Sequence, residues 1–164
     1  MKIPHDLKIA DYVTLGNLIS GILSLLLSIK GMFATAALLL IAAAVFDFLD
    51  GKIARKIRTA TLFGKQLDSL ADAVSFGVAP IVLGYSLGLQ SWYAIIIFVV
   101  FASCGVLRLA RFNVTAEKDF QGLPITHSCV YGILYFFVPF NDYMLIVYLL
   151  SAVLMISTFK VKKL

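Results

Sequence analysis

Two pairs of aspartates interrupt a chain that is otherwise strongly apolar: Asp47 and Asp50 are three apart, Asp68 and Asp72 four apart. Both spacings put side chains on one face of an α-helix. An aspartate near the centre of a bilayer costs roughly 2.5–3.5 kcal/mol on insertion scales. Four of them therefore need a counter-charge, and hard divalent cations take carboxylate oxygen directly. The two pairs are also nearly mirror-symmetric about positions 59 to 60. In an antiparallel helical hairpin turning near Thr59-Ala60 they meet at one level, about 12–20 Å from the turn at a rise of about 1.5 Å per residue. Four converging negative charges cannot all stay ionised unaided. One or two divalent ions would resolve the repulsion, and two, about 3.5–4 Å apart, suit displacement at phosphorus. Gly51, Ala54 and Gly64 remove bulk on the same hairpin, so a flat or highly charged ligand can approach the backbone. Arg55 offers phosphate a planar fork of donors. The structural alternative pairs the aspartates with Lys52, Arg55, Lys56 and Lys65, the small residues serving only close packing. Such separate pairs have no need of matched depth on two helices.

Helices that carry charge to this depth have to be membrane spans, and the composition agrees. Sixty-one per cent of the 164 residues are hydrophobic and 14% charged, with a mean hydropathy of +0.97, where a soluble domain carries about 25% charged residues. Hydropathy predicts spans at Tyr12–Ile29, Met32–Ile57, Phe63–Leu87, Trp92–Phe112, Leu123–Phe140 and Tyr143–Phe159. The expected fold is an all-α integral membrane bundle of six helices, one domain over residues 1–164, preceded by a short interfacial segment, Met1 to Asp11, and no cleaved signal. Breaks fall at Lys30-Gly31, Gly88 to Ser91 and Asn141-Asp142 on one side, and at Arg58 to Thr61 and Ala116 to Gly122 on the other. With six spans, only Lys30 of the 14 basic residues falls opposite the rest, so both termini and the aspartates' side are expected to be cytoplasmic. A basic face and a net charge of +5 fit an anionic leaflet; no nucleic-acid partner is expected. Cys104 and Cys129 lie in apolar segments and read as small buried side chains. Trp92 and Tyr93 read as interfacial anchors.

The run Asp47-Phe-Leu-Asp50-Gly51-Lys-Ile-Ala54-Arg55, then Gly64, Asp68 and Asp72, resembles the complete signature of the CDP-alcohol phosphotransferase family, with every fixed position at the family spacing. The resemblance implies a six-helix membrane enzyme, commonly a homodimer, that transfers a phosphatidyl-type group from a CDP-linked lipid, or a phospho-headgroup from a CDP-alcohol, to a hydroxyl and releases CMP. It assigns Asp47, Asp50 and Asp68 to divalent metal, usually Mg²⁺ or Mn²⁺. Asp72 matches the general base, which also belongs to the metal-binding set. Gly51, Ala54, Arg55 and Gly64 match positions at the cytidine diphosphate, and Asn17 in Thr14-Leu-Gly-Asn17 resembles a first-helix polar position near the nucleotide.

Within the family, Asp68 to Pro80 and the segment Arg108-Leu-Ala-Arg111-Phe-Asn113 followed by Gly122-Leu-Pro124 are similar to the serine branch, the membrane-embedded CDP-diacylglycerol–serine O-phosphatidyltransferases. The donor implied is a CDP-diacylglycerol or CDP-archaeol type lipid and the acceptor L-serine. Serine is a zwitterion whose carboxylate suits a guanidinium, so Arg108, Arg111 and Asn113 are candidates for holding it; anchoring to lipid headgroups is the other reading of the arginines. Another acceptor, inositol phosphate or glycerol phosphate, would need a second cationic pocket. His127 is a possible catalytic group or a half-buried histidine with a backbone partner, with Tyr131 and Tyr135 on its face. A divalent-cation transporter also tolerates intramembrane carboxylates, but Ala36 to Val45 and Val78 to Tyr85 leave the far side of those spans apolar.

Overall fold

The computed structural model describes residues 8–56, 61–114, 120–157 and 160–161, with the backbone alone for 54–56, 120–121 and 160–161. The predicted interfacial segment and the turn at Thr59-Ala60 fall mostly or wholly outside these residues. The described elements are α1 (Ile9–Ile29), α2 (Phe33–Lys56), α3 (Leu62–Asp72), a π-helical turn (Ala73–Val78), α4 (Ala79–Ser86) and α5 (Trp92–Val114). They continue with β1 (Phe120–Gln121), a 3₁₀ turn (Ile125–Cys129), α6 (Val130–Phe137), α7 (Tyr143–Ile156) and β2 (Lys160–Val161). The only pairing among described strands is β1 against β2, two residues each and antiparallel, so the body of the protein is helical.

Packing of α1 shows which solvent the fold is built for. Its buried face is Asp11, Thr14, Asn17, Ser20, Gly21, Ser24 and Ser28, while Ile19, Ile22, Leu23 and Leu26 point outward. That polarity is inverted for water and ordinary for lipid, where helices associate through small side chains and interhelical hydrogen bonds. Ser24 Oγ, for example, donates to the Ala36 carbonyl at 2.8 Å, joining α1 to the short buried side chains Ala36 and Ala37 of α2.

Among the described residues, four stretches are long and apolar enough to cross a bilayer: Ile9–Ile29, Phe33–Ile53, Leu62–Ser86 and Trp92–Val114. The fifth and sixth predicted spans correspond to shorter apolar helices, Ile125–Phe137 and Tyr143–Ile156. Each extends about 20 Å at 1.5 Å per residue, against a hydrocarbon core of about 30 Å. The first packs chiefly on α2 and the second on α5, around a shared aromatic core. Tyr131 stacks on Tyr148 with centroids 4.1 Å apart and planes 6° from parallel, and Phe98 and Phe101 meet Tyr148 edge-on. Tyr131 is thus a core residue, its hydroxyl donating to Ser151 Oγ at 3.0 Å.

The third predicted span departs from a regular helix. After Asp72 the chain widens into the π turn, where the Ala79 N–H reaches the Val74 carbonyl. Pro80, two residues into the following helix, has no N–H to return to the Phe76 carbonyl, which favours such a local rearrangement. At this turn α1 and the third span touch backbone to backbone: a Cβ on Gly21 would lie 2.7 Å from Ser75 Cα. Further along, Gly122 adopts φ +74° and crosses the end of α7, where a Cβ would meet the Met155 carbonyl at 2.7 Å. The Leu123 N–H donates to the Leu154 carbonyl at 3.1 Å. This seating delivers Pro124 and Thr126 to the ends of α2, α3 and α5.

Candidate active site

Asp47 and Asp50 on α2 and Asp68 on α3 each present a carboxylate oxygen, and these atoms lie within 4.8 Å of one another. The cross-helix convergence expected from the two spacings is present for these three. Thr14 on α1 donates its hydroxyl to Asp50 Oδ2 at 2.7 Å, while Asp68 Oδ1 is buried and accepts no hydrogen bond among the described residues. Asp72, a turn further along α3 and only 5% exposed, accepts from Asn17 Nδ2 at 3.0 Å. Two lysines of the structural alternative, Lys52 and Lys65, are engaged elsewhere. Lys52 Nζ lies 4.3 Å over the Phe48 ring, and Lys65 Nζ donates to the carbonyls of Phe112 and Asn113 at 2.9 and 3.3 Å, capping the C-terminal end of α5. The side chains of Arg55 and Lys56 lie outside the described ones. An all-oxygen, all-carboxylate donor set with an orphaned buried oxygen is what a hard divalent ion requires. The cluster could hold such a metal.

Among the described residues, two cavities meet at this cluster. The first, of about 440 Å³, runs between α1, α2 and α3 and is lined by Asp11, Thr14, Gly51, Thr61, Gly64 and Lys65. A Cβ on Gly64 would come within 3.0 Å of Asp11 Oδ1, so glycine keeps that wall open. The second, of about 370 Å³, lies on the α5 side and is lined by Asp47, Ser69, Asp72, Arg108, Pro124 and Thr126. Asp50, Gly51, Asp68 and Phe112 belong to both. Buried side-chain atoms without a partner among the described residues are Asn17 Oδ1, Asp68 Oδ1, Arg108 Nε, His127 Nε2 and Ser128 Oγ. Asp68 and Arg108 line the second cavity, and the others belong to residues bonded to, or close in sequence to, its lining. Native interiors leave few polar groups unsatisfied, so their concentration here marks a place organised for a ligand.

The model of the family described as CDP-alcohol phosphatidyltransferase matches residues 7–159. The chain belongs to this family. It is 41% identical over 159 residues to a CDP-diacylglycerol–serine O-phosphatidyltransferase of Methanocaldococcus jannaschii, a match covering 96% of this chain and 75% of that protein. An archaetidylserine synthase of Methanothermobacter thermautotrophicus is 43% identical over 134 residues, covering 79% of this chain and 58% of that one. A CDP-diacylglycerol–serine O-phosphatidyltransferase of Saccharomyces cerevisiae is 37% identical over 151 residues, covering 80% and 55%. The matches thus span little more than half the length of the last two.

The family signature maps onto the site unevenly. Gly51 and Gly64 line the first cavity; Ala54 and Arg55 belong to α2, their side chains outside the described ones. Arg108 lines the second cavity. Arg111 is exposed and donates to the Ile156 carbonyl through Nη1 at 3.5 Å, and Asn113 Nδ2 donates to Ser69 Oγ at 2.9 Å. Neither Arg111 nor Asn113 lines either of these two cavities; their bonds link α5 to the end of α7 and to α3 respectively. His127 has the backbone partner, Nδ1 lying 2.6 Å from the Pro124 carbonyl. Sequence reasoning overlooked Asp11 and Thr14. The signal was available, since Asp11, Thr14 and Asn17 recur every three residues on the buried face of an apolar helix.

Proposed function

We propose that this protein transfers the phosphatidyl or archaetidyl group of a CDP-linked lipid to the hydroxyl of L-serine, releasing CMP. The observation that carries the reading is the junction of two unlike cavities at one carboxylate cluster. The glycine-walled cavity between α1 and α3 takes the cytidine diphosphate against Gly51 and Gly64, with Ala54 and Arg55 following on the same helix. The α5-side cavity takes serine, because it alone of the two contains both a carboxylate placed to accept a proton, Asp72, and a guanidinium, Arg108. The names of the relatives point to the same acceptor.

Asp47, Asp50 and Asp68, with Asp72 beside them, hold one or two divalent ions, Mg²⁺ or Mn²⁺. When bound, such ions neutralise the carboxylates and the diphosphate and favour attack at phosphorus. The chain's own groups do the rest. Arg108, which lines the same cavity as Asp72 and Asp47, binds the serine carboxylate and so turns its hydroxyl toward Asp72. Asp72 accepts the hydroxyl proton as the serine oxygen attacks the β-phosphorus. The new O–P bond forms as the bond to the bridging oxygen breaks, and that electron pair leaves with CMP. The lipid chains lie among the exposed apolar side chains of the bundle. The protein works as a homodimer of single-domain chains in the cell membrane, both termini and the site facing the cytoplasm.

The reading is tested by incubating purified protein with CDP-diacylglycerol or CDP-archaeol and radiolabelled L-serine. Label is expected in the lipid phase in a one-to-one ratio with CMP; CMP without labelled lipid would refute it. Arg108→Gln is expected to raise KM for L-serine about 10- to 100-fold, the range for a hydrogen bond to a charged group. KM for the CDP-lipid should change less than about threefold on the same grounds, since Arg108 does not line the nucleotide cavity. Equal losses for both substrates would move Arg108 out of the acceptor site.

A further inference from the structure

We propose that Asn17 is a positioning residue for Asp72, fixing which carboxylate oxygen is presented to the acceptor, and that it makes no contact with the nucleotide. This rests on the role given to Asp72 above. Asn17 is 0% exposed and lines neither of the two cavities. Its Nδ2 donates to Asp72 Oδ1 at 3.0 Å. The direction of that bond is dictated by chemistry, because an ionised carboxylate only accepts. Asn17 Oδ1 is then turned into the protein, where it is buried without a partner among the described residues.

An orphaned buried oxygen costs about 1–3 kcal/mol. Leucine, of similar size and at home in this helix, would avoid that cost, so stability alone does not account for asparagine here. The backbone of the same residue is also gripped: Ser75 Oγ donates to the Asn17 carbonyl at 3.1 Å. Asp72 and Ser75 flank the start of the π turn, so one residue of α1 holds the third span on both sides of the point where its helical winding changes. Gly21, a turn further along α1, makes this approach possible, since a Cβ there would collide with Ser75. With Oδ1 held by Asn17, Oδ2 is the oxygen left for the cavity that Asp72 lines.

The experiment is a double-mutant cycle of Asn17→Leu and Asp72→Asn, read as kcat, KM for CDP-diacylglycerol and equilibrium binding of CDP to the full-length protein. Asn17→Leu is expected to lower kcat about 10- to 100-fold, the scale of a misplaced reacting group. CDP affinity and the lipid KM should stay within about threefold, and the loss should vanish in the Asp72→Asn background, because the two residues act as a unit. Should the leucine variant not fold, Asn17→Ser, polar but one atom shorter, is expected to give the same pattern. A tenfold or larger loss of CDP affinity would make Asn17 a nucleotide contact and overturn the proposal, as would losses that multiply in the double variant. Near-wild-type transfer by Asp72→Asn alone would instead overturn the base assignment, and this inference with it.

Discussion

Asp72→Asn is expected to leave a folded protein that still binds CDP, and to lower kcat by about 10² to 10⁴, the usual contribution of a positioned general base. The substitution is isosteric and removes the basic oxygen while keeping an acceptor for the Asn17 amide. Asp72 lies outside the three-carboxylate cluster yet lines the same cavity as Arg108. Loss of its charge therefore acts on the acceptor side of the reaction more than on the donor. The lipid KM should move little. A variant that loses CDP binding as steeply as turnover would show that Asp72 serves the diphosphate, and a variant with near-normal turnover would remove it from the mechanism.

Asp68→Asn is expected to abolish transfer and, separately, to change how the protein responds to metal. Carboxylate oxygens of Asp47, Asp50 and Asp68 lie within 4.8 Å of one another, and one oxygen of Asp68 is buried without a partner among the described residues. In chelator, the wild-type protein carries the repulsion within this cluster without a bound cation, so replacing Asp68 by asparagine should raise the melting temperature. With Mn²⁺ at about 100 times its dissociation constant, ligand linkage adds about 2.7 kcal/mol to the wild type. The variant should gain much less. Melting curves in chelator and in Mn²⁺ therefore separate a metal site from a structural cluster without reference to activity. A variant destabilised in chelator and stabilised normally by Mn²⁺ would contradict the assignment. Gain of stability with loss of function is the expected signature of residues kept for chemistry.

The carboxylate pairs were legible because helical periodicity converts spacing into a shared face, and a hairpin converts mirror symmetry into shared depth. Asp47, Asp50 and Asp68 meet as those two rules require. What the rules do not contain is the third helix. Thr14 on Asp50 and Asn17 on Asp72 depend on how α1 leans against the hairpin, a matter of small-residue packing at Gly21 that periodicity does not encode. The same limit applies to α5. Arg108, Arg111 and Asn113 share a helix end, but which of them faces the cavity is decided by Lys65 and Ser69 reaching across from α3. The π turn was hidden for a related reason. Hydropathy sees Leu62–Ser86 as one apolar span, while the change of winding after Asp72 follows from Pro80 and a backbone contact with α1. The last two spans read as full length because their flanking loops are apolar too, whereas the helices themselves stop at Phe137 and Ile156.

The most direct test of serine transfer at this site is CMP release by the purified protein with CDP-diacylglycerol and Mg²⁺ or Mn²⁺, comparing L-serine with inositol phosphate and glycerol phosphate. Asp68→Asn serves as the blank. Release that requires L-serine and disappears in the blank is the predicted result. Release that requires a phosphorylated polyol and ignores L-serine would contradict it, keeping the carboxylate cluster but giving the Arg108 cavity to a different acceptor.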